Sequence, residues 1–436
     1  MHETAPRTRS QELLAAAEAY VPGGVNSGRR RTTPALIVKR AKGAYLEDVD
    51  GRRYIDYTGA AGTAILGYSY PAVIDKVAET MQDRVLFAIG STELEIELAR
   101  KVSEHVPSIE QILLCNSGSE ATLNAARLAR AVTGRDALIK FQGNYHGFHD
   151  YLLMNNQSDP DRVNRPDPGS AGILGAAAEQ TLICRYNDLD SVEQAFASRP
   201  DNVAALFVEP IAHNAPGIMP EPGFLEGVRR LCDSNGALLI FDEVITGFRH
   251  HLGGYQAVCG VYPDLTVMGK AIANGFPVAV LGGKRRLMER FNTHPDGDVV
   301  WAGTYNGSQV GVAAALATID VLESEPVHEH LFRLGERMRA GLARVAAERS
   351  VPVVACGYGS LFALLFMEGP VGSYDDVLRN DSALFVRYRQ QMIARGHLEV
   401  PDAKNSRSHI SYSHTEADVD ATLEAAQEAL DAAMSR

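Results

Sequence analysis

Two short apolar runs, each closing on an ionisable residue, set the narrowest limits on this chain. Residues 237–241, Ala-Leu-Leu-Ile-Phe, lead straight into Asp242-Glu243-Val244, and Leu265-Thr266-Val267-Met268 leads into Gly269-Lys270. Runs of about five apolar residues bounded by turn residues suit strands buried on both faces, as in a parallel sheet. A charge inside such a strand is costly, so Asp242 and Lys270 belong at C-terminal strand ends, where an open α/β sheet gathers ligands. The same rhythm recurs at 111–115, 137–141 and 203–208, separated by helical patterns near 71–83, 92–106, 121–132 and 222–233. Residues 278–281 are expected as an edge strand, with a helical exit over 285–291. This alternation predicts an α/β fold, a mostly parallel sheet flanked by helices on both faces.

The ends of the chain follow a different pattern. A helix over 10–20 stops at Pro22-Gly23-Gly24, and strands are expected over 35–39 and 44–57, with a hairpin turn at Asp50-Gly51. Long helices over 308–324 and 327–349 lead away from the sheet. The remainder mixes strands (352–356, 361–366, 408–413) with helices (381–395, 416–434), the last one capped by Thr415. The expected division is a small α+β domain built from both termini, residues 1–57 and 326–436, around a large domain of 58–325.

Composition removes several classes of function. No apolar stretch approaches the roughly 18 residues of a membrane span, and Met1-His2-Glu3-Thr4 lacks the apolar core of a signal peptide. The net charge is −12 and no basic helix is present, which argues against a nucleic-acid partner. Cysteines 115, 184, 232, 259 and 356 form no CxxC pair, so neither a disulfide frame nor a metal site is expected, and a reducing cytoplasm fits. Arg29-Arg30-Arg31 is a short basic run against that acidic background.

Four strand-end features carry chemistry. Asn116-Ser117-Gly118-Ser119-Glu120 joins a strand to a helix, and hydroxyls with free N–H groups at a helix N-terminus suit a phosphate. The same residues also serve as an ordinary helix cap. Gly143-Asn144-Tyr145-His146-Gly147 brings an aromatic to the same edge, where it can stack on a planar ring or sit as a turn with half-buried rings. Asp242 can keep a pyridine nitrogen protonated, making the ring an electron sink, or simply cap a helix. Lys270 can form a Schiff base with a carbonyl or remain a solvated amine. Their coincidence favours one cofactor needing a phosphate cradle, an aromatic, an acid and an amine.

Taken together, these motifs resemble the class III, fold-type I pyridoxal-phosphate aminotransferases, and within them glutamate-1-semialdehyde aminomutase and its relatives. The matching stretches are Pro22-Gly23-Gly24-Val25-Asn26-Ser27, residues 116–121, Tyr145-His146-Gly147, Glu209-Pro210, Asp242-Glu243-Val244-Ile245-Thr246-Gly247-Phe248-Arg249, Gly269-Lys270 and Gly303-Thr304. The resemblance implies a seven-stranded sheet, pyridoxal 5′-phosphate as cofactor, a homodimer with shared active sites, and small-molecule amino donors and carbonyl acceptors.

Carried over residue by residue, Lys270 would be the Schiff-base lysine. It would also move protons between the substrate carbon and C4′ of the cofactor. Asp242 would meet the pyridine nitrogen, with Tyr145 and Val244 on the two faces of the ring and His146 beside them. Ser117, Gly118 and Ser119 would bind the phosphate, helped by Thr304 of the second subunit. Asn214 would lie near the phenolic oxygen, and Glu209 would support its strand end. Ser27, Arg30 and Ala61 would line the substrate side, with Arg30 holding a carboxylate.

Three departures bear on the substrate. Gly59-Ala60-Ala61-Gly62 stands where the aminomutases resemble Gly-Thr-Trp-Gly. The segment after Ser27 reads Gly-Arg-Arg-Arg instead of Pro-Val-Arg. The Asn405-Ser406-Arg407 region replaces an expected acid. A roomier, more basic pocket favours a different amino acid, with an aromatic or longer side chain or an added acidic group, and the reaction the resemblance implies is transfer between an amino acid and a keto acid or aldehyde. Intramolecular amino transfer and racemisation or epimerisation use the same cofactor residues and stay open, as does the choice among Arg29, Arg30, Arg31 and Arg407 for the substrate.

Overall fold

The apolar runs become strands with little shift in their limits. The computed structural model describes residues 8–435, so Met1-His2-Glu3-Thr4 lies outside it. The chain opens with a helix, Arg9–Ala17, capped by Thr8, and an antiparallel meander of β1 (Val38–Lys42), β2 (Tyr45–Asp48) and β3 (Arg53–Asp56). Seven strands of a central sheet follow: β4 (Gln111–Cys115), β5 (Ala137–Phe141), β6 (Thr181–Cys184), β7 (Val203–Val208), β8 (Leu238–Glu243), β9 (Leu265–Met268) and β10 (Ala279–Gly283). The tail adds β11 (Val354–Cys356), β12 (Leu361–Leu365), β13 (His397–Leu398) and β14 (Ser408–His409).

The central order is β4-β10-β9-β8-β7-β5-β6, and β10 runs antiparallel to both its neighbours while β9, β8, β7, β5 and β6 pair in parallel. Period-two alternation assigns the side chains to two cores. Leu138, Phe207, Ile240 and Val267 meet Ala121, Ala125 and Leu128 of the helix Gly118–Thr133. Ile139, Leu206, Leu239 and Phe241 meet Phe224, Val228 and Cys232 of the helix Phe224–Asn235. Burying each large apolar side chain is worth about 1.5–3 kcal/mol, so β8 cannot slip by one residue without exchanging its two sets. Register pairs Asp242 with Val267 and Glu243 with Met268. Lys270, two residues past Met268, therefore emerges beside Asp242.

The strand expected over 278–281 lies inside the sheet, not at its edge. The helical stretch that follows it read as an exit, but inside the sheet Gly282 and Gly283 answer to crowding. A Cβ on Gly282 would lie 2.6 Å from Ile109, and one on Gly283 would lie 2.7 Å from the Asp264 carbonyl oxygen. β6 and β13, both short, escaped the sequence reading. β13 pairs in parallel with β3, so residues from both ends of the chain share one sheet.

Among the described residues no helix is long and apolar enough to cross a membrane, and no cluster of acids, histidines or cysteines is arranged for a metal. The five cysteines are unpaired, and burial pushes each thiol above its ordinary range.

Candidate active site

The helix Gly118–Thr133 opens the site. Ser117 caps it: its hydroxyl accepts from the Glu120 N–H at 3.3 Å, while the Glu120 carboxylate accepts from the N–H groups of Asn116 (2.7 Å) and Ser117 (3.3 Å). Ser117 is thus committed to the cap, and the first-turn N–H groups of Gly118 and Ser119 face outward for an anion. Glycine is required at 118, because a Cβ there would fall 2.9 Å from Val244 Cγ2. Gly147, at φ +96°, lets the Tyr145 loop pack on the same turn, where a Cβ would meet the Ser119 hydroxyl at 2.7 Å.

Asp242 and Glu209 give the site two buried carboxylates with different duties. Asp242 accepts from the Val244 N–H at 3.0 Å and shares a 2.8 Å hydrogen bond with His146 Nδ1, which holds the carboxylate toward the cavity. His146 Nε2 is buried without a partner. Glu209 accepts from the Tyr145 N–H (2.7 Å), the Asn214 N–H (3.1 Å) and Asn214 Nδ2 (2.8 Å). It ties the Tyr145 loop to the Asn214 turn. Burial raises the Glu209 carboxyl above its usual range. It also pushes the Tyr145 phenol up, against the opposing charge of Arg29.

Lys270 sits at φ +47°, a left-handed backbone that costs about 1 kcal/mol for a residue with a Cβ. Its amine opens into the cavity and is lowered to about 8, first by burial and then by Arg407, with Asp242 and Glu209 opposing. An amine so placed is neutral, and nucleophilic, far more often than an exposed lysine.

Gly118, Ser119, Tyr145, His146, Glu209, Asn214, Asp242, Val244 and Lys270 line one cavity. The residues expected on the substrate side do not join that lining. Ser27, Arg30 and Ala61 are exposed, as is Thr304, far from its own chain's cavity wall. Arg31 is held elsewhere, donating to Glu18 at 3.0 Å. Arg29 is the member of the basic run whose charge bears on Tyr145 and on Arg407.

Arg407, one of the four arginines left open for the substrate, also lies outside that lining but bonds to Asn214, which is part of it. It is buried, and its Nη1 donates to the His213 carbonyl (2.9 Å), Asn214 Oδ1 (2.7 Å) and Asn405 Oδ1 (3.1 Å), while Nε finds no partner. Burial lowers it to about 10. No carboxylate pairs with it. The only sequence signal was a missing acid near 405–407, which says what is gone but not what the new side chain meets.

Comparison with known proteins decides the family. The class-III aminotransferase family matches residues 26–383. The chain belongs to the class-III aminotransferases. A glutamate-1-semialdehyde 2,1-aminomutase from Syntrophomonas wolfei is 41% identical over 430 residues, covering 98% of each chain. An omega-transaminase from Sphaerobacter thermophilus superposes with a TM-score of 0.92 at 32% identity, covering 99% of each chain. A β-phenylalanine aminotransferase from Variovorax paradoxus gives a TM-score of 0.87 at 30% identity, covering 96% of this chain and 93% of that one.

This class-III aminotransferase is therefore a pyridoxal 5′-phosphate enzyme of fold type I. Its own residues suit that cofactor. A buried acid and a depressed lysine share one cavity with a helix N-terminus and an aromatic, and the Gly118–Val244 approach leaves the phosphate end free of side chains.

Proposed function

We propose that this enzyme moves the amino group of an amino acid to a separate keto acid or aldehyde, with the substrate carboxylate held by Arg407. The observation that carries this reading is the buried Arg407 guanidinium, anchored through one nitrogen to Asn214 and lacking an acid partner. A buried guanidinium calls for an anion, and a carboxylate meets its fork with two charge-assisted hydrogen bonds. Arg29 adds a second positive charge on the same side. Arg30, expected on the same carboxylate, has the weaker geometric support because Arg29 is the residue whose charge reaches Tyr145.

When bound, pyridoxal phosphate supplies a ring that stabilises negative charge at the substrate carbon. Lys270 Nζ would take the proton from the carbon bearing the amino group and deliver it to C4′ of the cofactor. Asp242, held by His146, meets the ring nitrogen. Tyr145 and Val244 would cover the ring faces, and Gly118 and Ser119 would take the phosphate, with Ser117 acting through its cap. Asn214 and Glu209 set the edge between cofactor and Arg407.

Thr304 completes a neighbouring site in a homodimer. Supporting this, Thr304 is exposed beside exposed Val300 and Tyr305, and Phe87, Ile89 and Phe148 add further exposed apolar surface. The unpaired cysteines fit a reducing cytoplasm.

Intramolecular transfer is the second reading, favoured by the 41% identity to an aminomutase. Adding one amino acid without acceptor separates the two. An aminotransferase converts its cofactor to the pyridoxamine form and releases one equivalent of carbonyl product. If no amino acid does so, while glutamate-1-semialdehyde alone is isomerised, the aminomutase reading replaces ours. Inversion of configuration without carbonyl release would mark a racemase.

A further inference from the structure

Lys140 is a fully buried amine outside every role assigned above, lowered to about 7 by burial, with Glu209 and Asp242 opposing and favouring its charged form. It lies on β5, with no exposed surface. Its ammonium donates to three main-chain carbonyls: Asn144 at 2.8 Å, Leu152 at 3.1 Å, and Met154 in a shorter contact. An ammonium has three donors, so this cage satisfies it completely. Without the cage a buried charge of this kind would be expelled or neutralised.

The Asn144 carbonyl belongs to the peptide unit whose N–H is that of Tyr145, and that N–H donates to Glu209 at 2.7 Å. One peptide group is therefore gripped at its oxygen by a buried cation and at its nitrogen by a buried carboxylate. The Asn144 side chain strengthens the hold, its Oδ1 accepting from the Glu209 N–H at 2.9 Å. The next residue, His146, carries the 2.8 Å bond to Asp242. The charged and titratable groups facing Lys140 are Glu209, Asp242 and His149. A rigid peptide plane at 144–145 fixes where the Tyr145 ring leaves the backbone, and a cation behind it offsets the two carboxylates.

We propose that Lys140 is a positioning residue: with Glu209 it clamps the Asn144–Tyr145 peptide, and so sets the pose of Tyr145 and of the His146–Asp242 pair against the cofactor ring. The inference rests on the reading that Tyr145 and Asp242 meet that ring. A lysine suits the cage because its three donors converge on one atom, whereas an arginine presents a planar fork.

Two variants test it, Lys140→Met, which removes the charge, and Lys140→Arg, which keeps the charge and loses the geometry. Each is read three ways: amide hydrogen exchange over residues 143–154 in cofactor-free protein, affinity for pyridoxamine phosphate, and the circular dichroism and pH midpoint of the violet cofactor band in loaded enzyme. Both variants are expected to exchange faster over 143–154 and to bind pyridoxamine phosphate roughly tenfold to a hundredfold more weakly, the usual size of a supporting-shell loss. Lys140→Met should also move the midpoint to higher pH, since a positive charge has left the neighbourhood; Lys140→Arg should leave it near the wild-type value. Wild-type exchange, affinity and dichroism in Lys140→Met would overturn the proposal. If that variant does not fold, wild-type exchange and affinity in Lys140→Arg overturn it. A wild-type enzyme without a Lys270-dependent violet band would instead defeat the reading of the site itself.

Discussion

The cofactor half and the substrate half of this site are built on opposite plans. The cofactor half hangs from the ends of adjacent parallel strands: Asp242 closes β8, Lys270 follows β9, the Tyr145 loop follows β5 and Glu209 follows β7. Sheet register places all four, and the two cores on either face hold that register. The proposed substrate half rests on Arg407 in the C-terminal tail, with the charge of Arg29 near the N-terminus bearing on it, so it depends on both chain ends folding back. The first half can be shared by many reactions because its geometry is inherited from the sheet. The second half can change one residue at a time without disturbing it.

The largest effect should come from breaking the cofactor half. Lys270→Ala removes the proton-transferring amine, and the half-reaction with an amino acid should slow by about a thousandfold or more, with the violet absorbance lost. Stopped-flow spectra of loaded enzyme check both. Capture of the cofactor by the cofactor-free enzyme adds a pH signature. The Lys270 amine attacks only when neutral, so capture should accelerate as pH rises and level off above about 8. A plateau deferred to the range of an ordinary lysine would show that burial and Arg407 do not depress it.

Breaking the substrate half should be milder and confined to substrate. Arg407→Met is expected to lower kcat/KM for a carboxylate substrate roughly tenfold to a hundredfold, mostly through KM, as loss of a charge-assisted hydrogen bond of about 1.5–3 kcal/mol implies. It should also shift the Lys270 capture profile to higher pH, because the positive charge of Arg407 is, after burial, the main cause that lowers that amine. Cofactor affinity that collapses together with KM would place Arg407 in the cofactor half and erase the distinction.

The smallest effect separates neighbours in the basic run. Arg29→Ala should raise KM for the same substrate about threefold, the scale of an exposed charge pair, and Arg30→Ala should raise it less. The reverse order, read from steady-state kinetics, would restore Arg30 as the residue facing the substrate.

The two plans also explain what the sequence disclosed. Strands β4, β5, β7 and β9 were legible to the residue, because a buried strand must be apolar and its end must turn. Asp242, Lys270, Tyr145 and the Ser117–Ser119 turn followed from those strand ends. β10 was misplaced because the helical stretch 285–291 directly after it looks like an exit from the sheet, and Gly282 and Gly283 carry no apolar signal of their own. Only the neighbouring Ile109 and Asp264 show why they must be small. Arg29, Arg30 and Arg31 were indistinguishable in sequence, since Arg31 turns away through its contacts with Glu18, thirteen residues earlier, and with the Gly23 carbonyl. Arg407 and Lys140 carry no local pattern at all. Arg407 meets Asn214, the His213 carbonyl and Asn405, and Lys140 meets three carbonyls of a loop, and neither spacing repeats.

The most direct test of the account compares one amino acid with the amine that lacks its carboxylate. Single-turnover conversion of the violet cofactor form is followed for both compounds, in wild-type enzyme and in Arg407→Met. The account predicts that wild-type enzyme prefers the amino acid by at least about tenfold, and that Arg407→Met loses that preference while converting the amine at an unchanged rate. Equal rates for both compounds in wild-type enzyme, or a preference that survives in Arg407→Met, would contradict it.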